Sequence, residues 1–150
     1  MIYVSTGYYR NYNAEEVLEL FKKNKIKNIE FSGGQHNKNL RNFFLKNSDK
    51  FKFQIHNYFP PPKTPVVINL SSQNIKVLED SINLIKKAID LTKLIKGKFY
   101  SFHAGFLADL SPKDLGKSKS KLKEISLSKG LDSFLKNVDI ISRYAKKKKC

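Results

Sequence analysis

The chain has 150 residues, 40% hydrophobic and 12% aromatic, which suits one domain with a buried core and excludes a disordered chain. No apolar run approaches the roughly 20 residues that cross a bilayer, and MIYVSTGYYRNYN lacks a basic segment followed by an apolar one. The formal charge of +16 invites a nucleic-acid reading, but only Arg10, Arg41 and Arg143 offer a bidentate fork, and the lysines scatter along helix faces.

A cytoplasmic location without membrane contact is therefore expected, with nucleic acid ranked behind a small molecule as partner. The single cysteine, Cys150, can form neither an internal disulfide nor a Cys-rich metal site.

In chain order, IYVSTG (2–7) predicts a strand ended by Gly7. Asn13 followed by Glu16 makes a capping-box start, and Val17, Leu18, Leu20 and Phe21 give a helical stripe to about Lys25. IKNIEFSGG (26–34) predicts a second strand, and Leu40, Phe43 and Phe44 a short second helix. FKFQIHNYF (51–59) predicts a third strand, ended by Pro60, Pro61 and Pro62 because proline cannot donate to a ladder.

VVINLSS (66–72) reads as an ordered loop. It leads into a helix over about 74–95, with Leu78, Ile82, Ile85, Ile89 and Ile95 near helical spacing. GKFYSFHAGF (97–106) predicts a fourth strand. A polar excursion (110–130) follows, with at most a helical turn or two. A last amphipathic helix then uses Leu131, Phe134, Leu135, Val138 and Ile141.

Strands alternating with helices predict an α/β fold of parallel βα units with right-handed crossovers. Side chains alternate across a strand, so Phe51, Phe53 and Ile55 oppose Lys52, Gln54 and His56. In the same way Ile29 and Phe31 oppose Asn28, Glu30 and Ser32, while Tyr100 and Phe102 oppose Phe99, Ser101 and His103. A parallel sheet covered on both sides would be apolar on both faces, so the polar faces predict the lining of a cavity.

Parallel α/β folds carry their chemistry at the carboxyl ends of strands, where His56 and His103 fall. Adjacent strands lie about 4.8 Å apart, so the two imidazoles could hold one metal, adjacent metals or the oxygens of one ligand. Neutral imidazoles suit Zn, Mn, Co or Fe, and Glu30 is the nearest carboxylate. Asn57 and Tyr58 are candidate substrate contacts that could equally satisfy loop backbone groups. His36, Ser5 and Tyr8 are weaker candidates. The glycines of EFSGGQ and HAGF make no phosphate-binding fingerprint.

The run HNYFPPPKTPVVINLSS (56–72), a long helix, and then FYSFHAGF (99–106) resemble the first half of xylose-isomerase-like TIM-barrel proteins. Bacterial sugar phosphate isomerases/epimerases match best, with endonuclease IV more distant, and the resemblance covers roughly residues 1–145. In endonuclease IV-like members, histidines ending the third and fourth strands are metal ligands, which implies metal roles for His56 and His103. In the sugar isomerases the main ligands come from later strands and the early histidines line the substrate cavity. The resemblance thus implies His56 and His103 as substrate-binding residues and a divalent metal (Mn, Zn, Co or Mg) as cofactor, while Glu30, on the polar strand face, and Asn57, beside His56, are substrate-binding candidates on the residue pattern.

A complete barrel needs eight βα units and typically about 250 residues, whereas four units are read here. The expectation is the amino-terminal half of a (β/α)8 barrel, truncated at its carboxyl end, where KKKK implies an adenine-rich codon run prone to frameshift. The implied activity is a divalent-metal-dependent sugar or sugar-phosphate isomerase or epimerase, with the catalytic residues beyond this chain. An endonuclease IV-like phosphodiesterase acting on DNA and a non-catalytic half-barrel forming a homodimer are the alternatives.

Overall fold

A computed structural model describes residues 1–116 and 122–149. The centre of the polar excursion (117–121) and Cys150 lie outside the described residues. Four strands, β1 (Val4–Ser5), β2 (Asn28–Phe31), β3 (Lys52–His56) and β4 (Tyr100–Ser101), form one parallel sheet in the order β1-β2-β3-β4. The helices α1 (Ala14–Lys23), α2 (Leu40–Asn47) and α3 (Ile75–Leu94) join them in turn, and α4 (Leu127–Lys148) follows the last strand. The α/β fold of parallel βα units is therefore present. Among the described residues no helix is long and apolar enough to cross a membrane.

Local chemistry sets the helix starts. The Asn13 side chain accepts the Glu16 amide at 3.0 Å, and the Glu16 carboxylate accepts the Asn13 amide at 2.8 Å, which satisfies two otherwise orphaned donors of α1. Asn74 caps α3 by accepting the amides of Lys76 and Val77. The predicted bounds of both helices are met within a residue or two.

All three crossover helices cover the same face of the sheet. Val17, Leu18 and Phe21 of α1, Phe43 and Phe44 of α2, and Ala88 and Leu91 of α3 share one core with Ile29, Phe31, Phe53 and Ile55. That core is largely aromatic. The Phe31 ring lies within 6.0 Å, centroid to centroid, of the rings of Phe43, Phe44, Phe53 and Phe59. The opposite face of the same strands carries Glu30, Gln54 and His56, each half-buried, and, among the described residues, no helix.

A second core forms where Ile68 and Leu70 meet Leu84, Ile85 and Ile89 of α3 and Ile141 of α4. Residues 66–72 carry no strand, as expected, yet the segment is firmly held. Asn69 is buried, and its backbone N–H donates to Ser81 Oγ at 2.9 Å. Its side-chain amide donates to Ala108 O, and its Oδ1 accepts the amides of Ser71 and Phe106. A loop buried this deeply must have its backbone groups paired, and one side chain does much of that pairing. Gly105 is required beside it, because its φ is +126° and an added Cβ would meet Asn69 Oδ1 at 2.3 Å.

Two expectations are corrected. All four strands are shorter than their sequence runs, and β3 stops at His56, well before Pro60, because the chain turns out of the ladder at Asn57, whose φ is +44°. The last helix begins at Leu127, four residues before Leu131, and Leu131 and Leu135 are 50% and 56% exposed instead of buried. The buried face runs through Phe134, Asn137 and Ile141. A polar residue sits in that face because the Asn137 amide donates to Leu70 O at 3.2 Å.

Candidate functional site

The strand register sets the open face. Ser5 pairs with Glu30 and Glu30 with Gln54, which makes one polar row across β1, β2 and β3. The Gln54 amide reaches the Glu30 carboxylate at 3.4 Å. Two residues further along β3, roughly 6.6 Å nearer the carboxyl ends, His56 pairs with Ser101 of β4. There Nδ1 of His56 and Oγ of Ser101 are hydrogen-bonded at 2.9 Å. When Nδ1 carries the proton, the Nε2 lone pair is left for a ligand.

His103 joins this site by a route that strand alternation does not describe. β4 ends at Ser101, so His103 stands in the loop beyond the ladder. Its ring nevertheless lies 5.4 Å from that of His56, edge to face at 68°. His103 is exposed and His56 half-buried, so a ligand approaching the carboxyl ends of the strands can reach both imidazoles.

Asn57 stands between them. It follows β3 directly and has φ +44°, the left-handed conformation that Asn tolerates better than most residues. Its N–H donates to Ser101 O at 2.7 Å, and its Oδ1 accepts the His103 N–H at 3.2 Å. Its carbonyl accepts the Tyr100 hydroxyl at 2.7 Å. Burial pushes the Tyr100 phenol well above the ordinary tyrosine range, so it stays a donor through neutral pH.

The other candidates lie apart from the histidine pair or make contacts of their own. Tyr58 serves its own loop: its hydroxyl accepts the Val66 N–H at 3.0 Å, and burial again raises its pKa. His36 donates from Nδ1 to the Pro61 carbonyl at 2.9 Å. Ser5 and Ser32 hydrogen-bond each other at 2.9 Å, and Tyr8 is exposed. Glu30 lies one register repeat below the histidines, engaged by Gln54. Among the described residues no three of the His, Cys, Asp and Glu side chains come together as a metal-holding group.

Two concavities lie away from the histidines. One of about 470 Å³ runs between α1 and α2, lined by Glu15, Glu19, Lys22 and Lys46 among others, on the helical side of the sheet. Another of about 330 Å³ lies between Leu107 and Leu127. The histidine pair instead occupies an open polar face, and its chemistry distinguishes it from both grooves.

Ser101 was legible as a same-face neighbour of His103 but not as the partner of His56, since that needs the β3–β4 register. Asn69, which anchors the loop after His103, had one sequence signal: a polar residue inside the apolar run VVINL.

No protein-family model matches the chain, and no curated protein does. Among solved structures, that of the TTHB071 protein from Thermus thermophilus, soaked with ZnCl2, is similar, with a TM-score of 0.56 at 16% sequence identity. The match covers 91% of this chain and 49% of that one, so this chain spans about half the length of that protein. At this identity the likeness speaks to the fold alone.

Proposed function

We propose that this chain supplies the amino-terminal half of a xylose-isomerase-like TIM barrel, and that His56 and His103 bind a divalent metal or the oxygens of a metal-bound substrate at its mouth. The observation that carries this reading is the pair of imidazoles 5.4 Å apart at the carboxyl ends of adjacent parallel strands. Strand order β1-β2-β3-β4 with every crossover helix on one face supports the barrel, because that winding curls a sheet around its uncovered side. A face with Glu30, Gln54, His56 and Ser101 is the lining such a barrel needs around a polar substrate.

The donor set fits Zn or Co better than Mg or Mn. Imidazole nitrogen suits the former, whereas Mg and Mn prefer oxygen. Zinc, which imidazole nitrogen suits, is the first metal to test. Ser101 orients the His56 ring as outer-shell partners of metal-bound histidines do. The remaining ligands would come from water, substrate or groups beyond these residues.

The activity proposed for the full barrel is isomerisation or epimerisation of a sugar or sugar phosphate. That chemistry removes a proton next to a carbonyl, and a metal would stabilise the resulting enediolate oxygens. His56 and His103 would hold the polar end of the substrate or its metal, with Glu30 and Gln54 as supporting polar groups.

Calorimetric titration with Zn²⁺ and Co²⁺ tests the reading. The expected result is saturable binding that His56→Ala and His103→Ala each abolish. Undiminished binding in the double variant would overturn it.

A second reading, a metal-dependent phosphodiesterase acting on DNA, is favoured by the formal charge of +16. Binding of a duplex oligonucleotide that survives about 200 mM salt and weakens in His56→Ala would favour it over the sugar reading.

A further inference from the structure

Asn57 is tied to β4 and the loop after it at three atoms. Its backbone N–H reaches Ser101, its carbonyl is held by Tyr100, and its side chain holds the amide of His103. All three partners lie within residues 100–103, while Asn57 itself is covalently next to His56. The positive φ turns the chain out of β3 immediately after His56, which aims the Asn57 side chain across to the loop that carries His103.

That arrangement answers a question the ladder leaves open. β4 ends at Ser101, so no strand pairing fixes His103 against its neighbour. The link that does reach across is Asn57 Oδ1 to the His103 N–H. A backbone amide held by a side chain sets where its own residue's Cα, and hence its imidazole, can stand. We propose that Asn57 is a positioning residue that sets the spacing of His56 and His103, so that the two imidazoles act as one bidentate ligand set. The inference deepens the metal reading of this site and assigns Asn57 an orienting role in place of a direct substrate contact.

The residue type follows from two demands. The left-handed backbone at 57 favours Gly, Asn or Asp, and the reach to His103 needs a side-chain acceptor that Gly lacks. Only Asn and Asp meet both. The two demands can therefore be separated by substitution.

Asn57→Gly keeps the backbone conformation and removes the acceptor. Asn57→Asp keeps both, and Asn57→Ser, whose hydroxyl is too short for the same reach, repeats the deletion should glycine loosen the turn. The first readout is made without metal, as nuclear Overhauser contacts between the His56 and His103 ring protons. These are expected in the natural chain and in Asn57→Asp, and lost in Asn57→Gly and Asn57→Ser.

The second readout is Zn²⁺ affinity, expected to fall about tenfold or more in Asn57→Gly, the usual effect of removing an orienting partner, and to return in Asn57→Asp. Ring contacts and affinity both undiminished in Asn57→Gly would overturn the proposal. So would a fall in urea midpoint with the ring contacts intact, which is what a merely structural role predicts. If the natural chain shows the ring contacts but binds no Zn²⁺, the metal reading fails while the positioning role stands on the first readout.

Discussion

The two faces of one sheet were built by opposite rules. On the helix-covered face, Ile29, Phe31, Phe53 and Ile55 are buried beneath α1, α2 and α3, and the rings of Phe31 and Phe53 each meet that of Phe44 edge to face. On the open face, one residue away along the same strands, Gln54 is hydrogen-bonded to Glu30 and His56 to Ser101, and all of them stay within reach of water. Stability and chemistry therefore lie on different faces of this molecule. The covered face supplies the free energy that holds the strands, and the open face spends little of it.

The comparison can be broken hardest from the covered side. Phe31→Ala removes the ring that touches four others and leaves a cavity in the aromatic core. It should cost about 3–5 kcal/mol in urea denaturation, and a cost below about 1 kcal/mol would show that the covered face is not the stabilising one.

The next effect comes from Asn69, which lies between the two regimes, deep as a core residue yet bonded as a polar one. Asn69→Ala strips partners from the buried amides of Ser71 and Phe106 and from the Ala108 carbonyl. It should cost about 2–3 kcal/mol by the same measurement. It should also raise hydrogen exchange at residues 104–108, since the loop after His103 loses its anchor.

Tyr100 sharpens the boundary through pH. Its phenol is protonated in the folded state to a higher pH than in the unfolded chain, whose tyrosines titrate near 10. The unfolded state therefore gains stability by ionising first. Folding stability should be flat in this respect up to about pH 10 and fall as pH rises beyond it. Urea midpoints between about pH 9 and 11.5 measure the decline, and Tyr100→Phe should flatten it. An unchanged decline in that variant would assign it to other groups.

The smallest effect belongs to the open face. His56→Ala and His103→Ala should each change stability by less than about 1 kcal/mol, as exposed or half-exposed side chains do. Thermal unfolding of the two variants checks this. A loss comparable to that of Phe31→Ala would mean the pair is structural.

Much of this architecture was legible in the chain. The period-two alternation in FKFQIH and KNIEF sorted the covered face from the open one, because a pleated strand leaves each side chain only two directions. Asn13 with Glu16, and Asn74, marked helix starts because capping is chemistry between near neighbours. His56 and His103 could be nominated because both end strand-like runs.

What could not be read depended on atoms far apart in sequence. The pairing of His56 with Ser101 spans 45 residues, and that of Asn69 with Ala108 spans 39. Of the face expected for α4, Phe134, Val138 and Ile141 do pack inward, whereas Leu131 and Leu135 stay exposed and Asn137 turns in to meet Leu70, a polar contact that apolar spacing does not reveal. Which elements form, and which face of each strand is apolar, follow from local sterics and the spacing of side chains, and so are written in the chain itself. The pairing of His56 with Ser101, and the approach of His103 to His56 from a loop beyond the ladder, came only with the tertiary structure, because register and long-range hydrogen bonds exist only once the strands have met.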